Sequence, residues 1–443
     1  MTQVSRRHAL AGIAATLIAP AMARNALADS SLNATDLGLV VGSAEDQSAA
    51  FRAALEAASA QGKSLALPAG EFHISDVSIP GRMRLTGVPG ASFLIGSGEA
   101  PIARVGKVED LIIEGLSFLG NLAGGSERGL LVLDGSQNVT VQNCRFTGHA
   151  TGIVALGARA TIETCLFNEM GDAAIHSSDS NGLLIRGNRI NLCGNAGIRI
   201  WRGENGIDGS IVSGNQISSI DWVGGGNGQN GNGINVFKAD GVVVSDNVLV
   251  DCSFTAVRVN SGNNTQVRGN TCINSGEVAI FSEFAFSGSV IADNIIDGAA
   301  TGISITNLDS GGHLATCTGN IVRNIAEKSN VNPDTRPVGI YVEADTVVSA
   351  NSIDSVPGVG IAVGYGPFVR NVVVNANVIG AAKTGISVSV VDDPQAGPVS
   401  VTGNVISAEH GIVGMEWDKV VSDDLVGDAA RYPRVSLNGN VVT

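Results

Sequence analysis

Residues 242–272 read VVVSDNVLVDCSFTAVRVNSGNNTQVRGNTC, and this stretch spans one period of a repeat. The same motif stands near each end of the stretch: an apolar residue, an Asn three positions later, and a second apolar residue two positions after the Asn. Its two copies are Val244/Asn247/Leu249 and Val267/Asn270/Cys272. A second motif lies between the copies, Gly or Ala followed by alternating apolar residues, and here it begins at Ala256-Val257. Alternation with a period of two indicates β-strands, and Gly and Asn indicate the turns between them.

The first motif recurs along most of the chain, mostly 21 to 27 residues apart and up to 31, 32 and 36 where loops intervene. Its Asn recurs at ten positions: Asn188, Asn215, Asn247, Asn270, Asn294, Asn320, Asn351, Asn377, Asn404 and Asn440. Cys takes the Asn place in Val141/Cys144/Phe146 and Ile162/Cys165/Phe167. Two short strands per repeat, without a helical stretch, predict the coil of a parallel β-solenoid.

Stacked coils turn each motif position into a column. With neighbouring strands about 4.8 Å apart, about fourteen coils would form a rod on the order of 65 Å long. The apolar positions then build a continuous core. The Asn column can bond the coils above and below it, and Asn also tolerates the left-handed backbone that turns require.

The N-terminal end of such a rod needs a cover, because an open coil exposes strand edge and core. Phe51, Ala54, Leu55 and Ala58 fall on one face of a helix that the sequence starts near Ser43 or Asp46. The segment Leu65-Ala66-Leu67-Pro68-Ala69-Gly70-Glu71-Phe72 follows it. A short helix, this strand with its Pro and Gly, and Asn-marked coils resemble the pectate-lyase superfamily of right-handed parallel β-helices. The resemblance implies an all-β, single-stranded right-handed parallel β-helix over residues 63–443, after an N-terminal segment and capping α-helix over residues 29–62.

The first residues are typical of an export signal. Ser5-Arg6-Arg7-His8-Ala9-Leu10 precedes a mildly apolar run, and Ala26-Leu27-Ala28 offers a cleavage site before Asp29. Leu10 fits the twin-arginine pattern, whereas Ala9 replaces its usual Phe. The run is shorter than the ~20 apolar residues of a membrane span. Residues 1–28 therefore resemble a twin-arginine signal peptide, and the whole chain is similar to a family of twin-arginine-translocated repeat proteins. That resemblance implies the twin-arginine translocase as a partner and a periplasmic or secreted protein, but no reaction.

Composition narrows the classes of partner and cofactor. The formal net charge of −14 argues against nucleic acid as a general partner. The six Cys include no C-x-x-C pair, which argues against a zinc finger, and we expect all six to be buried thiols. The histidines fall in different columns, so the sequence indicates no metal site, and it identifies no cofactor.

One outward face of the middle coils collects basic, amide and aromatic residues. Side chains at alternate positions of the second strand point outward. The candidate residues on this face are His176, Arg199, Trp201, Arg202, Asn235, Phe237, Lys238, Arg258, Asn260, Phe281, Glu283 and Tyr341. Aromatic rings pack on sugar rings and amides bond hydroxyls, so this mixture favours a polysaccharide. The arginines favour an anionic one. A merely solvated sheet face is the alternative.

Catalysis is open at this point. Eliminating or epimerising a uronan needs a base beside a cation, and His176 next to Arg199, with Arg258 farther along, is the best constellation. Hydrolysis needs two carboxylates, and the pairs Asp134/Asp179 and Glu283/Glu343 lie two predicted coils apart, about 9 to 10 Å, at the upper limit for an inverting glycosidase. Lyase or epimerase chemistry is thus favoured over hydrolysis. A non-catalytic solenoid that binds glycan or protein, or packs into the envelope, is the alternative function.

Overall fold

The computed structural model describes residues 31–96, 100–120, 129–148, 151–226 and 228–443. The predicted signal peptide, with Arg6 and Arg7, lies outside the described residues. Within them the chain winds through about 13 turns of a parallel β-solenoid, which confirms the predicted fold class.

Two extended sheets run along the solenoid. The first sheet contains sixteen strands among the described residues: Leu32–Asn33, Leu65–Ala66, Met83–Thr86, Glu109–Glu114, Gln137–Gln142, Ala160–Glu163, Leu184–Arg186, Ile211–Ser213, Val243–Ser245, Thr265–Arg268, Ser287–Ala292, His313–Thr318, Thr346–Ser349, Val372–Asn375, Val399–Thr402 and Val435–Asn438. Consecutive members pair in parallel, as Val267 does with Ile291.

The second sheet bends around the other two sides of the coil. Its strands among the described residues are Gly70–His73, Val77–Ser78, Ser92–Ile95, Ala103–Gly106, Ser117–Leu119, Gly129–Asp134, Arg145–Thr147, Thr151–Leu156, Leu166–Met170, Ala173–Ser178, Arg189–Cys193, Ala196–Ile207, Gln216–Ile220, Asn232–Asp240, Val248–Cys252, Val257–Asn260, Thr271–Glu283, Ile295–Ile305, Ile321–Ile325, Val338–Val342, Ser352–Val363, Val378–Ser389, Val405–Glu416, Lys419–Ser422 and Val441–Val442. Most described coils before Thr265 therefore have three strands where the sequence predicts two, whereas most coils after it have two, because one long strand such as Thr271–Glu283 replaces the second and third. The Asn motif straddles a turn, because its two apolar residues belong to different strands.

The asparagine column forms a continuous buried ladder. Asn270 donates its Nδ2 hydrogen to Oδ1 of Asn294 at 3.0 Å and to the carbonyl of Val244 at 3.1 Å, and its own Oδ1 accepts from Nδ2 of Asn247 at 2.9 Å. The same pattern links each ladder asparagine from Asn188 to Asn440. The predicted bonding between coils is confirmed.

The left-handed residue of the turn is not the ladder asparagine itself. The position before it has a positive φ in every coil, 65° at Gly269, 57° at Asp293 and 55° at Ala376 for example. The ladder asparagines therefore do not use the left-handed backbone that Asn tolerates. The asparagine is selected for its amide bonds, and the residue before it makes the turn.

The helix Ser48–Ala60 buries Phe51, Ala54, Leu55 and Ala58, the face that the sequence predicts. It begins at Ser48, a little later than expected, and the Asp46 carboxylate accepts the N–H of Ser48 at 2.9 Å. The helix contacts the first strands of the solenoid and covers part of their core.

The core is filled by columns of like residues. The rings of Phe118, Phe146 and Phe167 stack at 4.9 and 4.8 Å between centroids. All six cysteines are buried free thiols, as expected: Cys144, Cys165, Cys193, Cys252, Cys272 and Cys317. Buried Ala, Val, Leu and Ile side chains fill most of the remaining core of the described coils.

Candidate functional site

Two outward columns cross the middle coils. Register pairs the first column in the order His176, Arg199, Asn235, Arg258, Phe281, Ser304 and Tyr341. The second column contains Ser178, Trp201, Phe237, Asn260 and Glu283. Since neighbouring strands are about 4.8 Å apart, side chains on adjacent coils can touch.

The strand Gly129–Asp134 departs by one residue from the register that the sequence predicts. Leu131 pairs with Ile153 and is fully buried, because Leu130 takes the place that Gly152 has in the next coil. Asp134 consequently shares a column with Leu156 and Ser178, one position before Asp179. The predicted Asp134/Asp179 carboxylate pair is therefore wrong.

A cleft of about 440 Å³ opens over these columns. We call it the tryptophan cleft, and it is lined by Trp201, Gly228, Gln229, Asn235, Phe237, Arg258, Asn260 and Phe284. Five of these were candidates from the sequence. The rings of Trp201 and Phe237 lie 6.1 Å apart at 66°, so they present two differently inclined apolar surfaces.

Hydrogen bonds hold the amide and indole groups of the cleft in place. Oδ1 of Asn235 accepts the Trp201 Nε1 hydrogen at 3.2 Å, and its Nδ2 donates to the carbonyl of Gly228 at 3.1 Å. Gly228 belongs to the segment 221–231, whose described residues, 221–226 and 228–231, form one wall of the cleft. A Cβ at Gly228 would lie 3.0 Å from the guanidinium carbon of Arg258, so glycine permits this close approach. The wall and the sheet are thus coupled through Asn235.

Arg199 does not present a free cation, contrary to the sequence prediction. It is only 4% exposed, and its guanidinium donates to both carboxylate oxygens of Asp172 at 2.7 and 3.0 Å. It also donates to Oδ1 of Asn230 at 2.9 Å, on the 221–231 segment. A buried, bidentate pair of this kind orders its surroundings, and the guanidinium is engaged inside the protein.

Arg258 is likewise paired. Glu283 receives two of its N–H groups at 2.6 and 2.8 Å, and Glu277 lies 3.4 Å from a third nitrogen. All three side chains are at most 7% exposed. Burial raises the pKa of Glu283, and the Arg258 charge opposes that shift. Arg258 therefore lines the cleft as part of an ion-pair network, and Glu283 lies beneath it.

His176 neighbours Arg199 in register, and its ring lies edge-on to Trp201 at 5.4 Å between centroids. Burial, followed by the Arg199 charge, lowers the pKa of His176 to about 4. Its Nδ1 is buried without a hydrogen-bond partner. The imidazole is half-buried and neutral at pH 7, and it is not among the residues that line the tryptophan cleft.

The remaining candidates lie at the margins. Arg202 donates to the carbonyl of Ser180 at 3.2 Å, and Lys238 donates to the carbonyl of Gly203 at 3.0 Å while covering the Phe237 ring. Phe281 and Tyr341 line a different cleft, farther along the solenoid.

Sequence reasoning missed the carboxylates Asp172 and Glu277. Each stands two residues before the Ala of the second motif, and each lies one coil from the arginine that it pairs with. An acidic residue at that position, next to a coil with an outward Arg, is the signal that could have found them.

Across the described ranges, no group of three or more His, Cys, Asp or Glu side chains is arranged to hold a metal ion. No helix in this part of the chain is long and apolar enough to span a bilayer.

Comparison with known proteins identifies the fold family. The family model that describes a right-handed β-helix region matches residues 128–226 and 208–379, which together make up more than half of the chain. No significant match is found among curated proteins.

Solved structures of similar fold come from different sources. The tailspike protein of E. coli bacteriophage HK620, solved in complex with a pentasaccharide, matches with a TM-score of 0.56 at 13% identity, over 88% of this chain and 79% of the tailspike. PfbA, a surface adhesin of Streptococcus pneumoniae, matches with a TM-score of 0.51 at 14% identity, over 87% and 91%. The A-module of a mannuronan C-5 epimerase from Azotobacter vinelandii has a TM-score of 0.49 at 15% identity, over 93% and 99%. At these identities the likeness is one of fold.

Proposed function

The chain belongs to the right-handed β-helix family, and from this fold and the tryptophan cleft we propose that the protein binds a glycan chain on the outer face of its middle coils. The observation that carries the proposal is the composition of the cleft. Indole and phenyl surfaces stand beside amide groups that are already oriented by hydrogen bonds. Sugars offer apolar ring faces and hydroxyl groups in the same alternation.

The size of the cleft also suits an oligosaccharide. Its volume of about 440 Å³ falls within the roughly 300–1,000 Å³ that is usual for small-molecule sites. Because it opens on an outer surface, a chain could continue beyond it at both ends.

The charges favour a neutral or weakly charged glycan over the anionic one that the sequence suggests. Among the described residues that line the tryptophan cleft, Arg258 is the one cation, and it is paired with Glu283 and Glu277. A polyanion would have to compete with these buried carboxylates, which is unfavourable. Lys238 lies near the rim and could contact a single charge.

The same contacts favour binding over lyase or epimerase chemistry. Those reactions need a cation that is available to the substrate carboxylate and a base that can reach its neighbouring proton. Arg199 is engaged with Asp172, and His176 is not among the residues that line the tryptophan cleft. A binding module is therefore the simpler assignment for this face.

A precedent supports the fold as a glycan carrier. The HK620 tailspike was solved with a pentasaccharide, so a protein of this architecture can hold an oligosaccharide. We further propose that the protein acts outside the cytoplasm, in the periplasm or after secretion, because Ser5-Arg6-Arg7 and the run that follows resemble a twin-arginine signal.

A glycan array followed by calorimetric titration tests the proposal. The array should contain neutral glucans, chitin fragments and galacturonan fragments of six units. We expect a neutral glycan to bind, and Trp201→Ala to weaken that binding at least about tenfold, or about 1.4 kcal/mol, by removing a stacking surface. Phe237→Ala should have a similar effect.

Val378→Ala is the control, because Val378 is exposed on another side of the coil. It should bind like the wild type. An array without any bound glycan, or equal affinity in the wild type and Trp201→Ala, would contradict the proposal. Preferential binding of galacturonan would restore the anionic alternative.

A further inference from the structure

A second cleft lies on the same outward face, farther toward the C-terminus. Its floor contains Phe281, Ser304 and Tyr341, which continue the column of Arg199, Asn235 and Arg258. The cleft has a volume of about 260 Å³, and we call it the tyrosine cleft. Burial and the neighbouring Glu343 carboxylate, to which the hydroxyl is hydrogen-bonded, raise the pKa of Tyr341, so the hydroxyl stays protonated at neutral pH.

One wall of the tyrosine cleft is the segment 326–337, which is anchored to the sheet at two points. Ser329 donates to the carbonyl of Gly276 at 2.6 Å, and Nδ2 of Asn332 donates to Glu277 at 2.8 Å. Glu277 also pairs with Arg258, which lines the tryptophan cleft. The two clefts are therefore adjacent and share one buried ion-pair network.

The opposite end is an aromatic platform. Tyr365 stacks against Arg336 at 4.7 Å and perpendicular to Trp417 at 5.0 Å. Asp418 holds Tyr365 and Arg336 in place, because its carboxylate accepts a hydrogen bond from the Tyr365 hydroxyl at 2.9 Å and forms an ion pair with Arg336 at 2.7 Å. A Cβ at Gly366 would lie 2.5 Å from the Trp417 ring, so glycine makes this packing possible. Trp417 remains 48% exposed although it closes the platform.

We infer that the tyrosine cleft is a second group of subsites for the same glycan, which would run along the solenoid axis from Trp201 to Tyr365. This inference rests on the proposed function and adds a chain-length requirement to it. Each cleft has aromatic rings beside hydroxyl or amide groups. A glycan that crossed the face perpendicular to the solenoid axis could contact one of the two clefts but not the other.

Register sets the length of that chain. The coils of Arg199 and Tyr341 are five steps apart, and Tyr365 belongs to the next coil. Six steps of about 4.8 Å give about 29 Å, or about six sugar units at one unit per coil. A shorter oligosaccharide can fill one cleft, whereas a longer one fills both and gains affinity because its second contact is intramolecular.

Oligosaccharides of two lengths test the inference. We would titrate size-fractionated β-glucan, chitin-derived and galacturonan oligosaccharides of three and eight units, and expect the eight-unit fragment of the bound polymer to bind the wild type at least about tenfold more tightly than the three-unit one. Tyr365→Ala should remove that gain and leave three-unit binding unchanged. Trp201→Ala should weaken both lengths.

Each outcome distinguishes the two proposals. Equal affinity for both lengths in the wild type, or a length gain that persists in Tyr365→Ala, overturns the second group of subsites and leaves the tryptophan cleft as the glycan site. Absence of binding at every length overturns both. Tyr365→Phe, which keeps the ring and loses the hydroxyl that bonds Asp418, should retain most of the gain. Unchanged three-unit binding in both Tyr365 variants would show that they are folded.

Discussion

Burial and the nearby Arg199 charge make His176 a source of pH-dependent stability. Its pKa in the folded protein is about 4, below the value of about 6.5 in an unfolded chain. Between these values the unfolded state binds a proton that the folded state does not, so the free energy of unfolding falls as the pH decreases from about 7 to 4. The loss attributable to this group is at most about 3 kcal/mol.

His176→Gln tests this prediction, because glutamine keeps a polar side chain but does not titrate. We expect the melting temperature of the wild type to fall faster than that of His176→Gln between pH 7 and pH 4.5. Thermal unfolding followed by circular dichroism at several pH values measures the difference. Parallel curves for the two proteins would contradict the lowered pKa of His176 in the folded protein.

For individual residues, the sequence predicts which side chains point outward from the coil, but not which of these side chains are buried. Alternation places Arg199 and Arg258 on the outer face, where we expected them to be exposed. Their burial depends on the segments 221–231 and 326–337, which fold over the face and have no periodicity from which their path could be predicted. Asp172 and Glu277 then neutralise charges that the sequence alone leaves free.

Among the elements of the fold, the asparagine ladder offers the sharpest test. Asn270→Leu removes the acceptor of two donors, the backbone N–H and Nδ2 of Asn247. Each buried donor without a partner is expected to destabilise the protein by about 1–3 kcal/mol. Chemical denaturation of the wild type and the variant measures the change in the free energy of unfolding.

Asn181→Leu is the matched control, because Asn181 is exposed and lies outside the ladder. Its effect should stay within about 0.5 kcal/mol, as is usual for surface substitutions. If Asn270→Leu were equally harmless, the ladder would not contribute to stability.

The ladder also shows why the sequence alone does not identify the left-handed residue of each turn. A recurring Asn is compatible both with a left-handed turn and with amide bonding between coils. The preceding residue, Gly269 in one coil and Ala376 in another, varies enough to hide the positive φ that all coils share. Only the register of stacked coils separates the two roles.

For the whole molecule, the repeat predicts the solenoid almost completely, because each coil is defined by a short local pattern. Irregular segments define the clefts instead. The segment 221–231 walls the tryptophan cleft, the segment 326–337 walls the tyrosine cleft, and the antiparallel hairpin after Val405–Glu416 carries Trp417. The site therefore depends on the parts of the sequence that break the repeat.

Export is also a property of the whole chain. The proposed twin-arginine route is read from residues that lie outside the described part, and it depends on the guanidinium pair of Arg6 and Arg7. Lysine keeps the charge but lacks the planar fork of donors, so Arg6→Lys with Arg7→Lys should leave uncleaved precursor in the cytoplasm. Cell fractionation and immunoblotting measure its distribution. Arg52→Lys, at an exposed position of the capping helix, should be exported like the wild type. Normal export of the double variant would indicate the general secretion route, in which the chain would have to fold its six buried thiols after crossing the membrane, in an oxidising compartment.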